Sequence, residues 1–215
     1  MHIPSRSFTF ALDFGSFGRM RNPFDPGYYH SEELRGFGFA HIGENVQIAK
    51  NCTVIGLEHI SIGNHVRIDG YTSIIAAAPV QFGNYIHVGG HCHFVAAAEL
   101  TLGDFSGTSQ GVRIYTATDD YTGKGLVGPT VPRHLRCPTI APVRLGKYAI
   151  IGANTVILPR GNVGDGSAVG AQSLVTKPLA PWGVYFGSPA KLLKPRHHEV
   201  EQLAEELETG RANRA

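Results

Sequence analysis

Residues 145–176 read LGKYAIIGANTVILPRGNVGDGSAVGAQSLVT, and an aliphatic side chain returns at every sixth position: Leu145, Ile151, Ile157, Val163, Val169 and Val175. Gly146, Gly152, Gly164 and Gly170 follow four of them, and a mostly small residue stands four positions on, at Ala149, Thr155, Gly161, Ser167 and Ser173. A helix repeats near 3.6 residues and a half-buried strand at 2, so a period of six fits neither. It suits a coil with three flat faces, one hexad to a face, of the kind built by hexapeptide repeats. In that coil the aliphatics stack inward, the small residue fits beside them, and glycine is expected to turn the corners.

Upstream the same rhythm stretches. Ile42, Ile62, Phe82 and Leu102 are spaced by 20 and each precedes a glycine; parallel columns run Ile48, Ile68, Val88, Thr108 and Val54, Ile74, Phe94, Ile114. Each unit is three hexads plus two residues at one corner. Both blocks describe one solenoid, whose repeats bury a continuous core by stacking on each other. The expected class is all-β, a parallel β-helix over 41–181. An arm and short helix precede it over 1–40, and a tail with a capping helix follows over 182–215.

Residues 118–142 (TDDYTGKGLVGPTVPRHLRCPTIAP) break the register and read as an excursion loop. A loop beyond about 12–15 residues in a compact domain is usually functional or disordered, and the adjacent acids Asp119 and Asp120 at its root favour function. Residues 1–28, aromatic and punctuated by Gly and Pro, read as an irregular arm that packs on a neighbour or a partner subunit. Ser31 is placed as N-cap of a helix ending near Gly36, and residues 198–210 as a helix closed by Gly210. Val200, Leu203, Ala204 and Leu207 give that second helix one apolar stripe.

The chain has 215 residues and a formal charge of +2, with its nineteen Lys and Arg scattered, so no nucleic-acid partner is implied. No apolar run approaches the roughly 20 residues of a membrane span, and no secretion signal is evident. Cys52, Cys92 and Cys137 form no CxxC pair, which fits a reducing cytoplasm without disulfides.

Hexads, excursion loop and the tail Gly187-Ser188-Pro189-Ala190-Lys191 occur in order, and together the chain resembles the left-handed β-helix acyltransferases over residues ~40–196. It is most similar to the galactoside and maltose O-acetyltransferase type, and within it to bacterial surface-polysaccharide acyltransferases. The resemblance implies a homotrimer with active sites between subunits, acetyl-CoA as donor, a sugar acceptor, free, nucleotide-linked or within a glycan, and no metal. It further implies that Ala153, Ala171, Thr176, Lys177, Lys191 and Lys194 line the coenzyme A groove. The galactoside type carries its catalytic histidine at the position of Asp119, so that histidine is absent here.

The acceptor group is a hydroxyl or an amine of the sugar, and acyl transfer to a hydroxyl still calls for a base. The segment Ile86-His87-Val88-Gly89-Gly90-His91-Cys92-His93 supplies candidates, and the columns sort them. Ile86, Val88 and Cys92 point inward, leaving His87, His91 and His93 outward. His87, placed at a corner, is the expected base, with Asp119 or Asp120 orienting it or holding sugar hydroxyls. A backbone N–H near Gly107 or Gly111 is expected to hold the oxyanion. The His-Cys-His run reads poorly as a metal site because Cys92 points away from its neighbours. Two other functions compete: a γ-type carbonic anhydrase, which would need three converging histidines, and a non-catalytic scaffold, which would want a repeated outward array.

Overall fold

The computed structural model describes residues 22–212. The expected arm over 1–28 lies mostly outside the described residues. From residue 40 onward the chain winds into the predicted three-faced parallel β-helix. The first face is a 9-stranded sheet, the second a 6-stranded and the third a 5-stranded one.

The columns read from the sequence are the observed registers. On the third face Ile42 pairs with Ile62, Ile62 with Phe82, Phe82 with Leu102 and Leu102 with Leu145. On the second, Val54, Ile74, Phe94, Ile114, Ile157 and Val175 stack in turn. Burial follows: Ile62, Ile68, Ile74, Leu102, Ile114, Leu145, Ile151 and Val175 are all fully buried. Removing these apolar side chains from water supplies the main stabilisation, at roughly 25 cal/mol per Å². The excursion leaves and returns at one corner. Ala117–Thr118 pairs antiparallel with Thr139–Ile140, and Ala141 N donates to Thr116 O at 2.9 Å. The coil therefore resumes in register at Val143–Leu145.

Most corners are not turned by glycine; Gly111 (φ 70°) and Gly166 (φ 66°) are the coils where it does hold the left-handed position. Gly43, Gly63, Gly83, Gly103, Gly146 and Gly152 are absent from the left-handed region, which is occupied two residues further on by Asn45, His65, Tyr85, Phe105, Tyr148 and Asn154, with φ of 55–59°. The glycines are needed for proximity instead. A Cβ on Gly152 would lie 2.4 Å from Ala171 N, and one on Gly43 2.6 Å from the Gly63 carbonyl. From His65 to Trp182 left-handed side chains stack along one corner in a ladder, His65 on Tyr85 (4.9 Å), Tyr85 on Phe105 (4.6 Å), Phe105 on Tyr148 (5.5 Å) and Tyr148 near Trp182 (6.3 Å), and His198 of the tail extends it by stacking on Trp182 (3.7 Å). A left-handed L-residue costs about 1–2 kcal/mol, and each ring pair returns about 0.5–1.5 kcal/mol.

Both ends of the first face are closed by antiparallel strands. Tyr28–His30 pairs with Gln47–Ala49 at one end, and Lys191–Pro195 with Gly183–Phe186 at the other. Helix α1 (Ser31–Leu34) corrects the N-cap assignment: His30 is the cap, its N–H donating to Glu33 Oε2 at 3.0 Å. Ser31 Oγ instead accepts from Val46 N at 2.8 Å and ties the helix to the first coil. Helix α2 (Glu199–Ala212) runs through Gly210 rather than stopping there. Its Val200, Leu203, Ala204 and Leu207 line a small cavity with Phe105 and Tyr148, so it lies beside the aromatic ladder.

Candidate active site

His87 occupies the outward position of strand Ile86–Val88, between two buried neighbours. It stands on the first face, not at a corner as expected; the corner residue is Tyr85. Its Nε2 lies 2.7 Å from Oδ2 of Asp69, which comes from the preceding coil just after strand Val66–Ile68. The other oxygen of Asp69 accepts from Arg67 Nε at 2.7 Å and from the Tyr28 hydroxyl at 2.9 Å. Arg67 Nη2 also donates to the Tyr28 oxygen at 2.8 Å. Burial raises the Asp69 carboxyl, but the bonds from His87, Arg67 and Tyr28 outweigh it and hold the group below the usual carboxylate range. An ionised carboxylate only accepts, so His87 presents Nε2–H to Asp69 and keeps Nδ1 as its basic nitrogen. Within one chain the carboxylate that orients His87 is therefore Asp69, not Asp119 or Asp120.

The residue in register with His87 on the next coil is Gly107. With no side chain there, space opens beside the imidazole. It continues into a cavity of about 450 Å³ lined by Tyr85, His87, Phe105, Gly107, Ser109 and Arg196, among others. Arg196 Nη1 is spent on the carbonyls of Tyr148 (2.8 Å) and Gly166 (3.0 Å), which fastens the tail to the ladder corner. The expected oxyanion donors are spent too. Gly107 N donates to Ala149 O at 2.9 Å and Gly111 N to Gly90 O at 3.0 Å, because the coil-to-coil ladder consumes them.

Asp119 and Asp120 differ. Asp120 accepts from Thr122 N (3.0 Å), Thr122 Oγ1 (2.7 Å), Lys124 N (2.6 Å) and Gly125 N (3.3 Å). Those bonds, the Thr122 side chain's first, hold its carboxyl below the ordinary range and make it the brace of the 120–125 turn. Its oxygens are taken, so it is a loop-forming residue in place of the catalytic one expected. Asp119 accepts only from Gly128 N at 3.1 Å and lines a second cavity, of about 900 Å³, with Thr118, Arg133, Arg136, Cys137 and Ile140.

Among the residues expected at coenzyme A, Ala153 and Ala171 sit one coil apart at the corner between the first and second faces, joined through Gln172 N to Ala153 O at 2.8 Å. Thr176 and Lys177 follow strand Leu174–Val175 at the opposite end of the second face, and Lys191 and Lys194 lie on the terminal strand. All but Ala153 are exposed. His91 stacks on Tyr71 at 4.9 Å, while Cys92 is buried and its thiol pushed up by burial. Among the described residues no three His, Cys, Asp or Glu side chains gather to hold a metal ion.

The fold has solved counterparts. AntD, an N-acyltransferase from Bacillus cereus crystallised with dTDP-4-amino-4,6-dideoxyglucose and coenzyme A, superposes with a TM-score of 0.83 at 34% identity, over 86% of this chain and 98% of that one. A dTDP-4-amino-4,6-dideoxy-D-glucose acyltransferase of Escherichia coli is 31% identical over 177 residues, 82% of this chain and 92% of its own. The chain belongs to the hexapeptide-repeat sugar acyltransferases. A hexapeptide-repeat acetyltransferase from Vibrio cholerae shares the fold at 21% identity, with a TM-score of 0.52 over 78% of this chain and 79% of its own. No family model matches the sequence. In this acyltransferase the columns locate His87 correctly on the surface, yet they miss Asp69 and Ser109. Asp69 is legible afterwards: with a coil of 20, the outward residue diagonal to position 87 on the coil below is 69.

Proposed function

We propose that the chain is an N-acyltransferase that moves an acyl group from acyl-CoA to the amine of a dTDP-linked amino sugar. The observation that carries this reading is a spacing. Solved variants of AntD change one serine and one aspartate that stand ten residues apart. In this chain a serine and an aspartate stand at that spacing once, at Ser109 and Asp119. Ser109 lines the His87 cavity and Asp119 the loop cavity. They sit on either side of strand Arg113–Tyr115, at opposite ends of one face. Their separation supports a homotrimer in which the His87 cavity of one copy meets the loop cavity of the next.

The amine nitrogen attacks the thioester carbonyl directly. A C–N bond forms, the C–S bond breaks, and the amine proton passes by way of His87 Nδ1 to the departing thiolate. Asp69 holds the imidazole and balances the imidazolium charge. Burial raises the thiols of Cys52 and Cys92 and leaves them as poor nucleophiles. Cys137 is exposed in the excursion loop, and its Sγ faces the Lys124 carbonyl at 3.8 Å rather than a histidine that could take its proton. Ala153 and Ala171 leave a shallow corner groove for the pantetheine arm, with Thr176, Lys177, Lys191 and Lys194 toward the nucleotide end. The three free thiols support a cytoplasmic enzyme, and the acceptor class supports a role in surface-polysaccharide assembly.

The test is to incubate the protein with acetyl-CoA or 3-hydroxybutyryl-CoA and dTDP-4-amino-4,6-dideoxyglucose, following thiol release. Release with that acceptor and not with neutral sugars is expected, from a species of three 23.1 kDa chains in sedimentation. Turnover only with hydroxyl acceptors would overturn the N-acyl reading, and a 23.1 kDa particle the trimer. Ala171→Trp is expected to abolish coenzyme A binding in an intact trimer; unchanged affinity would remove that groove.

A further inference from the structure

Two arginines face one cavity and no acid answers them. The excursion loop folds its 3-10 turn Arg133–Leu135 so that Arg133 and Arg136 line the space of about 900 Å³ that Asp119 and Thr118 also line. A space of that size is in the range of nucleotide-sized ligands. Among the described residues neither guanidinium has a carboxylate at ion-pair distance. Arg136 Nη1 donates to Gly128 O at 3.3 Å, but its Nε is closed off from solvent and has no acceptor. Buried donors in folded proteins are nearly always paired, so the orphaned Nε shows that the Arg136 guanidinium is not fully bonded within the loop. Guanidinium forks match phosphoryl oxygens two at a time.

We propose that the loop cavity is a diphosphate site, with the guanidinium groups of Arg133 and Arg136 clamping the two phosphoryl groups. This rests on the acyltransferase reading, in which both co-substrates carry a diphosphate. Asp119 on the same wall favours the sugar nucleotide, since a carboxylate there accepts from the sugar's amine or hydroxyls while the arginines hold its phosphates. Gly128 links the two functions: its N–H is held by Asp119 and its carbonyl by Arg136. The loop thus fixes the distance between the charged end and the reacting end of the acceptor.

The test is calorimetric titration of the intact protein with dTDP, thymidine, inorganic pyrophosphate and coenzyme A. Wild type is expected to bind dTDP at least about tenfold more tightly than thymidine, the value of one charge-assisted pair. Arg133→Gln and Arg136→Gln are each expected to weaken dTDP and pyrophosphate by roughly 10–100-fold and to leave thymidine unchanged. Arg136→Lys, which keeps the charge but not the guanidinium fork, should fall between. Arg133→Gln guards against a folding artefact, because that side chain holds no internal bond. Loss confined to coenzyme A and pyrophosphate would keep the site and give it to the donor. If wild type fails to acylate a dTDP-amino sugar yet binds pyrophosphate through both arginines, the acyltransferase reading of the acceptor falls and the diphosphate site stands. Folded variants that keep the affinity of wild type for every diphosphate overturn the proposal.

Discussion

The two cavities are made of opposite materials. The one at His87 is walled by strands and corner residues of consecutive coils, each fixed by inter-coil hydrogen bonds and a buried aliphatic column. The one at Asp119 is walled largely by residues 117–140, hung from a single corner and shaped by its own bonds, those of Asp120 above all. Position on rigid coils suits a group that must meet a reacting atom within fractions of an ångström. A loop on a fixed scaffold suits recognition, because its sequence varies without disturbing the core. In the proposed function the proton chemistry stays on the coil and acceptor recognition on the excursion.

The sharpest way to break this division is at His87. His87→Ala is expected to lower kcat by roughly 10²–10⁴-fold with little change in KM for CoA, the ordinary loss of a general base. Raising pH should recover part of it by freeing the acceptor amine. A folded variant with full activity at neutral pH would move the chemistry off the coil. Asp69→Asn comes next. Loss of a group that orients a working histidine typically costs 10–100-fold, and the fall should lie in kcat, with Asp69→Glu partly restoring it. Equal losses in kcat and in thermal stability for both variants would reduce Asp69 to a structural anchor.

Asp120→Ala sharpens the other side. It removes the brace of the 120–125 turn and should raise KM for the acceptor severalfold while leaving the unfolding temperature nearly unchanged, since surface loops contribute little to global stability. A large drop in melting temperature would show that the excursion is part of the core. The smallest effect concerns acid. The Asp69 carboxyl titrates lower in the folded chain than unfolded, so its stabilisation is present above its unfolded value, about pH 4, and fades as pH falls through the lower folded value. Asp69→Asn is expected to flatten that part of the acid unfolding curve. An unaltered curve would mean the bonds from Arg67, Tyr28 and His87 do not form in solution.

Much of the coil was legible because its signal is repeated: Ile42 to Leu102, Ile48 to Thr108 and Val54 to Ile114 each state the register several times over. The outward residues are stated once. His87 could be turned outward by the buried neighbours Ile86 and Val88, but its partner Asp69 follows from a diagonal contact between coils that no single stretch displays. The loop was legible as an interruption only. That Asp120 braces it while Asp119 opens to the cavity depends on turn geometry over five residues. The aromatic ladder was also written in the sequence, at His65, Tyr85 and Phe105, 20 apart. It was hidden by the expectation that glycine turns corners, where the glycines after the aliphatic columns serve the close approach of neighbouring backbones.

The antiparallel strands at the two ends of the first face have a consequence for how copies meet. A bare solenoid is a template for its own growth, because the last coil offers unpaired backbone groups in the register another coil would accept. Here Tyr28–His30 and Lys191–Pro195 occupy those groups on that face and run in the wrong direction to be extended. A second molecule arriving end-on finds no parallel edge there, whereas the sides of the prism stay open to it. End-on growth of that face into a fibre is thereby blocked, which fits the proposed trimer, and high protein concentration is expected to add no filaments that extend the first face.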